Sequence, residues 1–508
     1  MVNNMQNNAF ETESKIQSFF RNKKVFVTGG TGFLGKVFIE KLLRTTDVGR
    51  VYVLVRAKRG TTATDRMKKI LEDPLFEKLH ELRPNPMKYI KTIEGDCTLP
   101  KLGISAEDRK ELIDEVNVVM HCAATVRFNE PLSNATQINV AATQDLLDMA
   151  KEMKNLKAFV HVSSAFANCV VIDAEEKFYT EHLGITSEKL LSLKERLGSQ
   201  ALDAMEKELV GQFPNTYCYT KSVAEEAVQK CGNSIPICIF RPGIILAVSD
   251  EPIPGWVDNL YGPNSIVYGC AYGALRVMYA RPDQNAAYVP VDYCANMMMA
   301  CAWETATSII QNPPKEPRIY TLVPHKNNEL DWGTFKHYAV EHGFKMPLPN
   351  MIWYPMLLFA ETYIGYSLLT LIYHTLPGYL IDLVLLLMGK PMRMTKTYKK
   401  IHSQCAMLRY FLAFDFTFDM KNCYNLWDSM SPEDQKLYNF DMANLVWSKY
   451  FYDNISGMRR FVAKQDPASI PEGKKKLKIF GTLNIIVHVL FIGGFLWLTW
   501  SLLKFIFL

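Results

Sequence analysis

The chain lacks a charge excess of either sign. Its 57 basic and 52 acidic residues leave +5 over 508 residues, so no global field points to nucleic acid as a partner. Its eleven cysteines include no C-x-x-C pair and no Cys/His zinc spacing, which excludes a disulfide framework and predicts no metal site. They sit mostly in apolar strings such as Ile237-Cys238-Ile239, where small buried hydrophobes belong, and read as reduced thiols of a cytosol-facing protein. Proline and glycine stand at ordinary levels, 25 and 27, and this excludes collagen-like or linker-dominated chains. Residues 1–20 are Asn-rich and acidic, without a basic start or an apolar run, so no signal peptide is expected there.

What the chain does have is apolar surface, with 48% hydrophobic residues. That excludes a disordered chain, and the length calls for two or three domains. From Ile479 to Leu503 stand 25 residues without Lys, Arg, Asp or Glu. At about 1.5 Å per residue they cover the ~30 Å hydrocarbon core of a bilayer. Trp497 and Trp500 lie toward the far end, where indole rings favour the interface. Lys474, Lys475, Lys476 and Lys478 precede the run, and by the positive-inside rule they keep the preceding chain cytosolic. A tail anchor is therefore expected. A second greasy stretch, Met351 to Met388, is broken by Glu361, His374, Pro377, Gly378 and Asp382. It reads as a membrane-surface element or an acyl-chain wall more than as a clean span, with a transmembrane hairpin as the alternative.

Lys23 to Thr28 is a short β-branched and aromatic run that ends directly in Gly29-Gly30-Thr31-Gly32-Phe33-Leu34-Gly35. Helical spacing follows. Strand, glycine turn and helix are the setting of a phosphate-binding fingerprint. Gly29 allows the tight turn, Gly32 lets backbone approach a pyrophosphate, and Gly35 lets helix and strand pack closely. The spacing is G-x-x-G-x-x-G, a Rossmann variant. Strand-like runs recur at Val51–Val55, Tyr89–Glu94, Val116–His121, Ala158–Val162 and Ile237–Phe240, with helical patterns such as Asn139–Met153 and Ser222–Lys230 between some of them. The expected fold is α/β, a doubly wound parallel sheet, followed by a smaller, mainly helical domain and the transmembrane helix. The expected division is a polar segment at 1–22, a reductase domain at 23–345, a helical domain at 346–465, a basic linker at 466–478 and the span at 479–503. After the second strand come Arg56, Lys58 and Arg59, where an NAD-specific site offers an acid. Cations there accept a 2′-phosphate, so NADPH is the expected cofactor.

Tyr217-Cys218-Tyr219-Thr220-Lys221 is Y-x-x-x-K, with Tyr217 and Lys221 on one helix face. An ammonium near a phenol lowers the phenol's pKa toward working pH. The strand ending Val162-Ser163-Ser164 supplies a hydroxyl, and Ser164 beside Tyr217 would polarise a carbonyl that receives hydride. Capping of a turn is the plain alternative role for Ser163 or Ser164.

Together these strings resemble the extended short-chain dehydrogenase/reductases and, more narrowly, alcohol-forming fatty acyl-CoA reductases. The narrow signals are Pro254-Gly255-Trp256-Val257-Asp258-Asn259 and Ser431-Pro432-Glu433-Asp434-Gln435. The resemblance implies that Thr28, Gly29, Thr31, Gly32, Phe33, Leu34 and Gly35 bind the cofactor, with Asp96 facing the adenine and Ala123 lying along it. It also implies that Lys221 holds the nicotinamide ribose and that the backbone of Pro242 to Ile244 meets the carboxamide. Ser164 departs from the family, which more often has Thr, but a hydroxyl remains. The implied activity is NADPH-dependent, four-electron reduction of a long-chain acyl-CoA to a primary alcohol on a peroxisomal or endoplasmic reticulum membrane. A membrane-bound sterol dehydrogenase shares the glycine and tyrosine motifs. A non-catalytic NADPH-binding scaffold is the third alternative, although such proteins commonly lose the tyrosine or lysine. Between Ser164 and Tyr217 lie 52 residues with a charged helical pattern at Ser187–Leu197, expected as a surface insertion.

Overall fold

A computed structural model describes residues 13–309 and 315–507. The chain forms two compact units that are interleaved in sequence. Unit 1 takes residues up to Pro254, Ala287–Glu329 and Asp415–Leu445, and unit 2 takes Gly255–Ala286, Leu330–Phe414 and Val446 onward.

Unit 1 is built on one seven-stranded sheet. Its strands are β1 (Lys24–Thr28), β2 (Arg50–Val55), β3 (Ile90–Glu94), β4 (Val118–His121), β5 (Ala158–Val162), β6 (Ile237–Pro242) and β7 (Arg318–Leu322). All neighbours run parallel, in the order β7-β6-β5-β4-β1-β2-β3. Their sequences are near-continuous Val, Ile and Phe because both faces are covered. β1, β4, β5 and β6 are buried almost end to end.

Alternate residues Phe26, Val119, Phe159 and Ile239 share a core with Leu146, Leu147 and Val228. Those last three belong to α2 (Ala142–Glu152) and α3 (Thr216–Cys231). With a side-chain period of two, Val25, Val118, Val160 and Cys238 point to the opposite face, where they are equally buried. There α4 (Val291–Glu304) packs on β5, β6 and α1 (Phe33–Thr45). Every residue of α4 is buried, as expected of a helix apolar on all sides.

The α/β doubly wound sheet expected from the sequence is therefore present, with β7 as an added edge strand. The tail segment Asp415–Leu445 belongs to this unit. It pairs Thr417–Phe418 with Asp173–Ala174, and the Asn422 N–H donates to Glu176 at 2.6 Å. Asp434, fully buried, accepts from the Ser14 hydroxyl and from the N–H groups of Lys15 and Ile16.

Unit 2 is mostly helical. α5 (Trp332–Lys345) packs on α9 (Trp447–Gly457), and between them Phe335, Ile455 and Met458 help line an apolar cavity of about 50 Å³. α6 (Tyr363–Thr370) continues through one wide turn, Leu371–Thr375, into α7 (Leu376–Leu387), and α8 (Met394–Ala413) returns antiparallel along α7. α10 (Ile470–Phe507) is one unbroken helix that takes in most of the basic stretch 466–478, in keeping with the helix propensity of lysine. Two helical runs, Tyr363–Leu387 and Pro467–Phe505, are long and apolar enough to cross a membrane. The second, a candidate anchor, has none of its apolar window buried.

Candidate active site

The order of the sheet reverses between β1 and β4, and ligands of open parallel sheets bind outside the carboxyl ends of the strands at that switch. Chemistry-bearing residues collect there. β1 ends at Thr28, and the turn begins with Gly29 at φ +71°. A Cβ on Gly29 would stand 2.6 Å from the Ala123 nitrogen at the end of β4. A Cβ on Gly35 would press on the backbone of Gly29 and Gly30. Gly32 is exposed and caps α1 with no side-chain acceptor. The first N–H groups of that helix therefore face outward with a positive dipole end, which suits a pyrophosphate. Thr31 and Phe33 are half-buried beside it, and Leu34 faces the core.

Thr28 does more than end a strand. Its hydroxyl meets His121 Nδ1 at 2.7 Å, and the Ala123 N–H donates to it at 3.3 Å. His121 Nε2 meets the Thr143 hydroxyl at 2.9 Å, and that hydroxyl donates to the Asn139 carbonyl. Asn139 lies in a π-helical turn, Thr136–Ala141, a widening of the helix common at functional sites. Its side chain accepts from the Thr125 N–H at 2.9 Å and donates to the Thr220 hydroxyl at 2.9 Å. One buried polar chain thus ties the glycine turn to the Tyr217 helix. Burial, with Lys221 nearby, pushes His121 down to about 3, so it serves as a neutral imidazole. Sequence reading passed over His121 and Asn139 as site residues, because each is an ordinary polar residue until tertiary structure joins them.

α3 starts with Asn215 as its N-cap, the Asn215 side chain accepting from Cys218 N–H. Tyr217 therefore sits in the first turn and Lys221 one turn on. The Ser164 hydroxyl lies near enough to Tyr217 to favour its ionised form, and it accepts from the Phe166 N–H at 3.2 Å. Ser164 is thus the cap of the turn Ala165–Asn168 as well as a neighbour of the phenol, whereas the Ser163 hydroxyl is buried away from any partner. Phe128 stacks on Tyr217 at 5.8 Å between ring centres.

Lys221 is buried and donates to the Val162 carbonyl at 2.7 Å. Burial brings it down to about 8 against the pull of Glu225 and Cys122. Burial also drives the Tyr217 phenol above its ordinary value, and Ser164 is the neighbour that brings it down. The lowering by Lys221 expected from four-residue spacing is absent, because the ammonium is turned to Val162 and burial acts most strongly on the phenol.

At the far end of the cleft, Asp96 follows β3. Its carboxylate accepts from the Thr98 N–H at 2.9 Å and stands 3.5 Å from the exposed Arg56 guanidinium. Lys58 is exposed in the same loop. Arg66, on the helix Ala63–Leu71, donates to the Arg56 carbonyl. Burial and the proximity of Arg56 hold Arg66 below its ordinary value. Two guanidiniums held close together define an anion-seeking corner, and Arg66 was not legible as part of it because ten residues separate it from Arg56. Beyond β6, the N–H groups of Gly243 and Ile244 are engaged by the carbonyls of Leu322 and Ala287, at 2.8 and 2.7 Å. Pro242 has no N–H to give. A carboxamide reaching Pro242 to Ile244 would meet carbonyl oxygens that accept from its NH2.

A Rossmann-type parallel sheet with an open glycine turn and a Ser–Tyr–Lys set at its carboxyl end defines a nicotinamide-dependent reductase of the extended short-chain class. Family models described as male sterility protein match residues 27–298, under the name NAD_binding_4, and residues 373–465, under the name Sterile. The chain is 40% identical over 492 residues to "Fatty acyl-CoA reductase wat" of Drosophila melanogaster, covering 97% of this chain and 94% of the relative. It is 36% identical to human "Fatty acyl-CoA reductase 2", covering 96% and 93%, and 35% identical to human "Fatty acyl-CoA reductase 1", covering 91% and 89%. The protein belongs to the fatty acyl-CoA reductase family.

In fold it is similar to the terminal R domain of the myxalamid PKS-NRPS pathway, with a TM-score of 0.56, 17% identity and coverage of 88% of this chain and 93% of that one. It is also similar to the reductase domain of a nonribosomal peptide synthetase from Mycobacterium tuberculosis, with a TM-score of 0.56, 16% identity and coverage of 86% and 92%.

Proposed function

We propose that the protein is an NADPH-dependent reductase that takes a long-chain acyl-CoA to the primary alcohol, releasing CoA, in two two-electron steps through an aldehyde held at one site. The observation that carries this reading is that Ser164, Tyr217 and Lys221 lie at the carboxyl end of the sheet, across β4 from the glycine turn, in a chain of this family. The cleft fits a dinucleotide phosphate. Gly29 and Gly35 leave no room for a Cβ against the backbone that shapes the turn, the start of α1 is uncapped, and Arg56 with Arg66, helped by Lys58, offers cations to a 2′-phosphate. Asp96 would lie at the adenine, Ala123 along the cofactor and Lys221 at its nicotinamide ribose. When bound, the cofactor supplies hydride.

The residues of this chain do the rest. Ser164 donates a hydrogen bond to the thioester oxygen and stabilises the charge that grows on it. Tyr217 gives that oxygen its proton, forming a thiohemiacetal. Collapse of this intermediate expels the CoA thiolate and leaves the aldehyde. In the second round the same two hydroxyls polarise the aldehyde, and Tyr217 protonates the alkoxide to the alcohol. On collapse the thiohemiacetal hydroxyl gives up its proton, which the thiolate takes, so each round consumes one hydride and one proton. The uncharged stretch at Ile479–Leu503 anchors the catalyst in a peroxisomal or endoplasmic reticulum membrane with unit 1 in the cytosol, where its lipid substrate and product collect.

The test is turnover of palmitoyl-CoA with NADPH, following thiol release and lipid products. Two NADPH consumed per CoA released, with alcohol formed, is the expected result. Thiol release from no chain length, with a steroid oxidised instead, would overturn the reading. Tyr217→Phe should lower kcat by roughly 10²–10⁴, the usual worth of a general acid, with NADPH binding nearly intact.

A further inference from the structure

The helical run Tyr363–Leu387 carries Ile364, Leu368, Leu380, Leu383 and Leu387 in the open, between 52% and 80% exposed. Its return helix, α8, is of another character. From Leu383 to Phe414 the chain has six Lys or Arg and no Asp or Glu, and Lys390, Arg393, Lys396, Lys399 and Lys400 are all exposed. The two helices are locked together. Buried Asp382 accepts from the N–H groups of Arg393, Met394 and Thr395 at 2.8 to 2.9 Å and from the Thr395 hydroxyl at 2.6 Å. His374 and His402 meet at 3.1 Å.

That last contact decides how the run meets a bilayer. His374 stands at the middle of 363–387, so a crossing helix would hold it near the midplane. Lys399 and Lys400 precede His402 by less than one turn and would be carried to the same depth, where charged side chains are expelled. The run is therefore excluded as a span, yet its leucines are uncovered.

A second contact gives its level. The Tyr373 hydroxyl and His488 Nε2 on α10 are 3.1 Å apart, and Trp353 Nε1 donates to Asn484 at 3.0 Å. His488 lies about 15 Å along α10 from Lys478, and about 28 Å of helix remains beyond it. An in-plane helix seated ~5–10 Å into the headgroup and acyl boundary, at the level of His488, leaves Lys478 among the headgroups. The rest of α10 is then long enough for the ~30 Å core.

We propose that α6–α7 lies in the plane of the leaflet that α10 enters, with its leucines among the acyl chains and the cations of Lys390–Lys400 on anionic lipid headgroups. The protein thus holds its membrane by an in-plane hairpin as well as by a span. This rests on reading α10 as the span.

The test uses the full chain in phosphatidylcholine vesicles with or without phosphatidylserine. An environment-sensitive maleimide probe is placed at Leu383→Cys or, separately, at Leu496→Cys on α10. Nine native cysteines are buried and two, Cys97 and Cys122, are half-buried, so the unsubstituted protein serves as blank. Lipids carry a nitroxide near the headgroup or near the chain end. The expected result is several-fold stronger quenching of the Leu383 probe by the shallow nitroxide, and of the Leu496 probe by the deep one.

At about fivefold per cation, Lys396→Gln/Lys399→Gln/Lys400→Gln should weaken seating of the Leu383 probe about a hundredfold and reduce its dependence on phosphatidylserine. A Leu383 probe that stays unquenched, or is quenched best by the deep nitroxide, overturns the proposal while leaving α10 as the span. Quenching unchanged in the triple variant overturns the role of the cations. A Leu496 probe that no nitroxide reaches overturns the span first, and this proposal with it.

Discussion

Cofactor selectivity is where the geometry of the cleft makes its most exacting prediction. Arg56 and Arg66 come together because Arg66 donates to the Arg56 carbonyl, and one carboxylate, Asp96 at 3.5 Å from Arg56, is near enough to offset them. At that distance the ion pair is weak and the corner stays cationic. A hydrogen bond to an ionised group contributes about 1.5–3 kcal/mol. Arg56 is 59% exposed along its side chain, so screening holds it to about 1 kcal/mol. Half-buried Arg66 keeps about 2 kcal/mol. Removing both should therefore cost about 3 kcal/mol toward NADPH, or roughly a hundredfold in kcat/KM.

NADH has no 2′-phosphate and should lose little. The assay is kcat/KM for each cofactor at a fixed acyl-CoA concentration, in Arg56→Ala, Arg66→Ala and the double variant. Arg66→Lys retains the charge and should recover part of the loss. An equal fall with both cofactors would refute the reasoning and make the pair a support of the loop rather than a phosphate reader. A wild-type preference for NADH would refute it outright.

Three further outcomes follow from the same cleft. Lys221 is held down at about 8 by burial, so rising pH strips its proton across that value. Reductive kcat/KM should then fall above about pH 8, and a profile flat to pH 10 contradicts the assignment. Gly29→Ala places a Cβ 2.6 Å from the Ala123 nitrogen at φ +71°, and the strain and overlap of about 2–4 kcal/mol should abolish dinucleotide binding and lower the unfolding temperature. Asn139→Ala leaves the Thr125 N–H without its partner, a cost of about 2 kcal/mol. Amides of residues 123–128 should then exchange roughly 30-fold faster with solvent, and unchanged exchange would show that the loop is held by something else.

The sheet was legible because its strands are buried on both faces. Ala158–Val162 reads from its apolar run to its observed ends. Val116–His121 begins two residues early, because Val116 still bonds to Leu112 as the cap of the preceding helix. β7 was passed over, since Arg-Ile-Tyr-Thr-Leu is short and lies beyond a proline-rich stretch. In the cleft, residues adjacent in sequence were readable and those brought together by folding were not. The glycine turn, Tyr217 with Lys221, and Ser164 announce themselves by spacing. Arg66, His121 and Asn139 acquire meaning only from contacts across 10 to 93 residues of chain. The phenol's pKa was misread for a similar reason. Spacing gives the distance to a charge but not the desolvation that competes with it.

The membership of Asp415–Leu445 in unit 1 has a consequence for how the protein is made. Until those residues leave the ribosome, Asp434 is missing from the Ser14–Ile16 backbone, Glu176 lacks the Asn422 N–H, and Phe166 lacks the rings of Phe416 and Phe418 that pack on it. A reductase half cut before residue 415 would emerge with those sites open and sticky. The catalytic body closes late in synthesis, just ahead of the apolar helix that follows. Closure of unit 1 is thereby tied to nearly the whole chain: its sheet is made early, while Ser14 waits for a partner 420 residues further on.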